Sequence, residues 1–317
     1  MEEYGNLPEN ALAKKVQIGD YVAYDPTKGV TDTSKLTYTS PVGSGPSHGN
    51  GHSEQTFTAN NSIEWRVLSK NENTGEVILI SEPIKNNAGV GFTMKGAIGY
   101  LYAEQELNEI CKVYGYGVGA DTTKTFTYET GDVVEGIDRG TITGSGARSI
   151  NVDDINKITG YEPTTFTTSD TEGTTYNYGN SYTHSIFYPT KATQDGKSTG
   201  AVNRSDVYTT YWYIGSEALK DLTASYQTLF RNKTNASYIS YWIASRAIDS
   251  RSDLSGFTVF CVHDTYEGFV FPETIGGGNA HEWKDGEYDL SICSIVYLKP
   301  NVKTSGQNES GAWEISE

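Results

Sequence analysis

The chain alternates short apolar runs with polar stretches rich in glycine and threonine, and most of the runs read as single elements. Val16–Tyr24 alternates apolar and polar residues around Gly19 and Asp20, which predicts a short hairpin. Ile63–Leu68 and Glu76–Ser81 are strand-like, and Asn71–Gly75 between them has the composition of a hairpin turn. Leu101–Tyr114 places Leu101, Leu107, Ile110, Cys111 and Tyr114 on one helical face, with Glu104, Glu106 and Glu109 mostly off it. Cys111 is therefore expected in the core. Asn151–Ile158 opens with an Asn cap and acidic first-turn residues and closes at Gly160, the pattern of a short helix. Ser216–Phe230, capped by Ser216, predicts a third helix. Four strands follow: Tyr238–Ala244, Gly256–Val262, Gly268–Phe271 and Ile292–Leu298.

Residues 120–200 are thin in aliphatics and hold 19 of the 37 threonines, so they read as loops inserted between framework elements. There is no internal repeat and no clean linker. The expectation is one composite α+β domain over residues 14–302. Residues 14–119 give hairpins and the first helix, 120–200 the loop-rich insert, 201–302 the C-terminal strands, and 303–317 a tail. A chain of 317 residues can bury a sizeable core, and its apolar content of only 36% is weighted toward large side chains, with 38 aromatics of which 23 are tyrosine. The net charge of −16 argues against nucleic acid, whose phosphates need clustered Lys and Arg. No stretch approaches the roughly 18 apolar residues of a membrane helix.

The chemistry-bearing residues are scattered. The three cysteines, Cys111, Cys261 and Cys293, show no CxxC spacing, so neither a disulfide framework nor a zinc site is expected. A Cys261–Cys293 bridge is open if those segments are neighbouring strands. His48 and His52 lie four apart in a Gly/Ser loop, and no nucleophile elbow, HExxH, Walker loop or dinucleotide fingerprint occurs. Gly115–Gly119 follows a helix rather than leading into one, the wrong order for cradling phosphate. Asp249, Asp253 and Asp264 could line a pocket or hold calcium, but without EF-hand spacing they read as surface acids. No catalytic residue, metal ligand or cofactor is assigned.

The last third carries the most specific pattern. Tyr241–Arg246 (Tyr-Trp-Ile-Ala-Ser-Arg), Phe257–Val262 and Ile295–Lys299 resemble the C-terminal strands of a bacterial and phage family with a C-type-lectin-like fold. The Ile63–Leu68 and Val77–Ser81 hairpin, the Gly96–Tyr100 lead-in and Ala147–Val152 are similar to this family too. Where the family has Arg-Pro before its last strand, this chain has Cys293-Ser294. The resemblance implies a C-type-lectin-like domain with an N-terminal β-hairpin unit and long loop insertions. Several members are variable proteins of diversity-generating retroelements, rigid scaffolds that display changeable side chains. The sugar-binding triplets of animal lectins are missing, so the fold alone does not imply sugar binding.

By this resemblance the variable region spans residues 234–292. Randomised codons ending in a pyrimidine cannot encode Lys, Glu, Gln, Met or Trp, and Thr234–Tyr266 is a 33-residue run lacking the first four. A β-rich core segment would lack them as well. Positions matching the family's changeable ones are Asp249, Arg251, Leu254, Gly256, Thr258, Cys261, His263 and Tyr266. Strand alternation puts Phe257, Val259 and Val262 inward and Gly256, Thr258, Cys261 and His263 on the display side, which needs a bulge near Phe260. Trp242 is expected as a core anchor. The implied function is a non-enzymatic, surface-displayed binder of a protein or glycan ligand on a cell surface. The expected location is extracellular or a phage virion, with any export or anchor segment outside the sequence given. The alternatives are a structural pilus or phage tail component, or a formylglycine-generating type of enzyme relying on its cysteines.

Overall fold

The structure is a computed structural model. It describes residues 7–40, 55–129, 139–160, 240–251, 254–263, 269–278, 283–285 and 287–316, with the short segments 167–168, 174–177, 181–184, 208–209 and 229–230. Helices and strands are mixed, with sheet predominating. A seven-stranded sheet runs, in spatial order, Lys303–Gln307, Trp313–Ser316, Tyr21–Ala23, Trp65–Lys70, Val77–Ser81, Ser294–Leu298 and Ala147–Ser149. A six-stranded sheet runs Trp283–Asp285, Phe269–Gly278, Leu254–His263, Tyr241–Arg251, Glu287–Ile292 and Phe92–Lys95. The α-helices with bounds among the described residues are α1 (Leu12–Lys15), α2 (Gly96–Lys112) and α3 (Val152–Thr159).

Both sheets bury residues of both parities, so two cores form. In the first, Val67, Leu79, Val296 and Leu298 of the larger sheet meet Leu107, Ile110 and Cys111 of α2 and Trp242, Val259 and Cys261 of the smaller sheet. In the second, Leu68, Ile80 and Ile295 meet Val152 and Ile155 of α3 and Tyr241, Ile243, Phe260 and Val262. Neighbouring residues such as Val67 and Leu68 thus point into different cores, as a strand covered on both faces requires.

Several elements follow the local sequence. The Trp65–Lys70 and Val77–Ser81 strands pair antiparallel. Their turn is organised by the Asn71 side-chain oxygen Oδ1, which accepts from the Asn73 and Thr74 amides. In α3, Asn151 and Asp154 form a reciprocal capping box, and Gly160 ends the helix at φ 69°. Cys111 is fully buried on α2, as its helical face predicts.

Other elements depart from expectation. Val16–Tyr24 is not a hairpin: Val16 caps α1, and Tyr21–Ala23 pairs with Trp65–Arg66 on one side and Trp313–Glu314 on the other. The insert at 120–200 contains an ordered hairpin, Thr125–Glu129 with Arg139–Thr143. The expected tail supplies two strands of the larger sheet. The predicted strand Ile292–Leu298 is divided at Cys293, where the chain leaves one sheet and enters the other. The glycines after α2 serve close approach: a Cβ on Gly115 would strike Ser145 and Ala147, and one on Gly117 the Asp25 carbonyl. Of the predicted helix Ser216–Phe230, only Leu229 and Phe230 lie within the described residues, and both are helical.

Candidate ligand-binding hairpin

The Tyr241–Arg251 and Leu254–His263 strands form one long antiparallel hairpin with two unlike halves. In the half nearest the core, Tyr241, Trp242, Ile243 and Ala244 face Val259, Phe260, Cys261 and Val262, and all eight are buried. Trp242 donates its indole N–H to the Phe92 carbonyl at 2.7 Å, which satisfies the one polar atom of the largest side chain there. The Tyr241 hydroxyl donates to the Phe230 carbonyl at 3.0 Å, and burial drives its ionisation far above the usual tyrosine range. Trp242 is thus a core anchor, as expected.

In the far half the register is regular. Ala247 pairs with Thr258, Ile248 with Phe257, Asp249 with Gly256, Ser250 with Ser255 and Arg251 with Leu254. Directly paired residues share a face, and so do residues two apart. Asp249, Arg251, Leu254, Gly256 and Thr258 therefore occupy one face of the hairpin. The Phe269–Gly278 strand extends this face, with Gly277 beside Gly256, and Trp283–Asp285 continues it with Lys284 beside Gly277.

Cys261 corrects the expected display set. It is fully buried in the first core beside Trp242 and Val259, on the opposite parity from Thr258. The display assignment required a bulge near Phe260 to turn Cys261 outward. The Leu254–His263 strand instead alternates strictly through that point, with Val259 and Cys261 in one core and Phe260 and Val262 in the other. The irregularity lies on the partner strand, between Trp242 and Arg246, with a second one against the Phe269–Gly278 strand between Phe257 and Thr258. His263 has the parity of Cys261 and pairs with Phe269, so it does not share the Thr258 face. Tyr266, Asp253, Asp264, His48 and His52 lie outside the described residues.

The cysteines are all free thiols, so Cys261 and Cys293 are not bridged. Burial pushes the Cys111 thiol up to about 12 and the Cys293 thiol well above its ordinary value. Cys111 donates toward the Cys293 carbonyl and Cys293 toward the Ser81 carbonyl, each at 3.7 Å. Thiols held protonated in this way are core groups and poor nucleophiles. Among the described residues no group of three or more His, Cys, Asp or Glu side chains is placed to hold a metal ion. No helix among them is long and apolar enough to cross a membrane.

Two polar constellations were not foreseen from the sequence. On α2, Glu106 accepts from the Tyr38 hydroxyl at 3.0 Å and Glu109 from the Tyr128 hydroxyl at 3.3 Å, so Glu106 holds the Thr37–Ser40 strand and Glu109 the Thr125–Glu129 strand. Beside α3, Arg148 makes two 2.6 Å hydrogen bonds to Asp154 and donates to the Tyr297 hydroxyl at 2.9 Å. Their sequence signal is faint: an i, i+3 glutamate pair on a helix, and an arginine six residues before a capping aspartate.

No protein-family model, no curated protein and no solved structure matches this chain.

Proposed function

We propose that this protein is a non-enzymatic, surface-displayed binder, built on a C-type-lectin-like scaffold of the kind diversified by retroelements. The observation that carries the reading is the division of the Tyr241–His263 hairpin. Its near half is buried on both faces, while its far half collects Asp249, Arg251, Leu254, Gly256 and Thr258 at positions of a single face. A recognition surface that changes while its scaffold does not needs this separation between residues that hold the core and residues that meet a ligand. The ligand is a protein or glycan on a cell surface, and the protein works outside the cell or on a virion.

The test is a displayed library varied at those five positions, panned against arrays of bacterial surface proteins and glycans. Folded variants with distinct, selectable ligands are expected. A library whose members lose their cooperative melts, or a wild-type chain with hydrolytic activity and no ligand, would overturn the reading.

A further inference from the structure

The two halves of the hairpin meet at an irregularity with partners of its own. Trp242 pairs with Cys261 and Arg246 with Val259, so Ile243, Ala244 and Ser245 stand opposite Phe260 alone. A surplus of this kind bends a strand, sharpens its twist and leaves backbone groups without ladder partners. Here the segment leading into α3 takes up one of them. Ala244 donates its N–H to the Ile150 carbonyl at 2.8 Å, and the Ser245 hydroxyl oxygen accepts from the Val152 N–H at 3.0 Å.

Val152 is the first residue of α3, and its N–H is one of the donors a helix start leaves without an internal partner. The capping box serves the amides of Asn151 and Asp154, and Ser245 serves that of Val152 from another element. The start of α3 is itself fixed, because Asp154 is gripped by Arg148, which also bonds Tyr297 of the Ser294–Leu298 strand. A continuous polar path thus runs from the Ser294–Leu298 strand of the larger sheet to the bend in the hairpin.

We propose that Ser245 is a positioning residue, locking the bend to the start of α3 and so setting the angle at which the far half of the hairpin leaves the core. This rests on the display reading above: the far half must hold one orientation while its face changes. Ser245 meets no ligand and acts through Val152.

Hydrogen exchange on the 317-residue chain tests it. Ser245→Ala removes the acceptor and is expected to speed exchange of the amides at 246–251 and 254–258 about five- to tenfold, the worth of one hydrogen bond. The amides at 241–243 and 259–262 keep their protection. Ser245→Thr, which retains the hydroxyl, restores the wild-type pattern. Val152→Pro deletes the same bond from the donor side at a helix position that tolerates proline, and should loosen the same amides. In parallel, a nanobody selected on the wild-type chain and lost on the Asp249→Ala/Thr258→Ala variant reports the far face, and Ser245→Ala should weaken it without altering its epitope. Wild-type protection in Ser245→Ala, or a loss spread evenly over both halves, would overturn the proposal. If Ser245→Ala does not fold, Val152→Pro alone decides by the same two criteria. Loosening confined to the far half, together with a library that yields no binder, would leave Ser245 as the anchor and remove the display function.

Discussion

Arg148 and Asp154 meet through two parallel hydrogen bonds of 2.6 Å, with both side chains largely shielded from water. The guanidinium also lies over the rings of Phe126 and Tyr297, so its faces and its edge are both engaged. Removing one member strands the other in a poorly hydrated site. Arg148→Ala is expected to cost about 3 kcal/mol in a denaturant melt. Arg148→Lys should recover only a minor part, because an ammonium cannot reproduce the paired geometry.

Trp242 fills the first core and is tied to the Phe92 carbonyl. Trp242→Ala should destabilise the chain by roughly 3–5 kcal/mol through the cavity it leaves. Trp242→Phe should cost less than that, because the ring volume is largely kept. A Phe variant as damaging as the Ala variant would shift the main contribution from packing to the hydrogen bond.

Substitutions along the hairpin should divide by position. Asp249→Ala, Arg251→Ala and Thr258→Ala are expected to change stability by no more than about 0.5 kcal/mol, as the display reading requires. Cys261→Asp should prevent folding, since it would place a carboxylate among Trp242, Val259 and the side chains of α2. Thermal melts of these four variants check the division, and a Thr258→Ala chain that melts far below wild type would contradict it.

Glu106 gives a pH dependence of unusual sign. Burial is the main cause holding its carboxyl above the ordinary glutamate range, and the nearby Glu109 adds to the rise, against the hydrogen bond from Tyr38. The folded state therefore binds this proton more tightly than the unfolded chain. The resulting stabilisation is complete below the ordinary value near about 4, and is lost as the pH climbs through the raised folded value. Glu106→Gln keeps an acceptor for Tyr38 and removes the buried charge. Its melting temperature should exceed wild type at pH 7, and the difference should shrink toward pH 4. A difference that is constant with pH would remove Glu106 as its source.

The sequence declared those elements whose determinants are local. The Asn151 cap and the left-handed Gly160 mark α3 within ten residues, and Asn71 organises the turn between Trp65–Lys70 and Val77–Ser81 through its own side chain. The apparent hairpin at Val16–Tyr24 misled because its turn is bonded to a distant strand: Gly19 donates to the Val67 carbonyl at 2.8 Å. Cys261 was misassigned although a signal was present. Val259-Phe260-Cys261-Val262 is an unbroken apolar run, the mark of a strand covered on both faces, whereas the expected assignment treated it as having one wet side. The Tyr38–Glu106 and Tyr128–Glu109 contacts join residues 68 and 19 positions apart, and periodicity carries no information at that range.

The pairing of Tyr21–Ala23 with Trp313–Glu314 has a consequence for how the chain is made. Synthesis delivers the early strand first, and its flank stays uncovered until Trp313–Ser316 is translated. Leu12 likewise waits for the Val302 carbonyl, to which its amide donates at 2.9 Å. The larger sheet therefore closes only after residue 316 has left the ribosome. Until then the nascent chain carries an open strand edge able to recruit the wrong neighbour. Ribosome-tethered lengths ending before residue 303 should remain protease-sensitive at residues 7–24, with protection arriving once Trp313–Ser316 emerges.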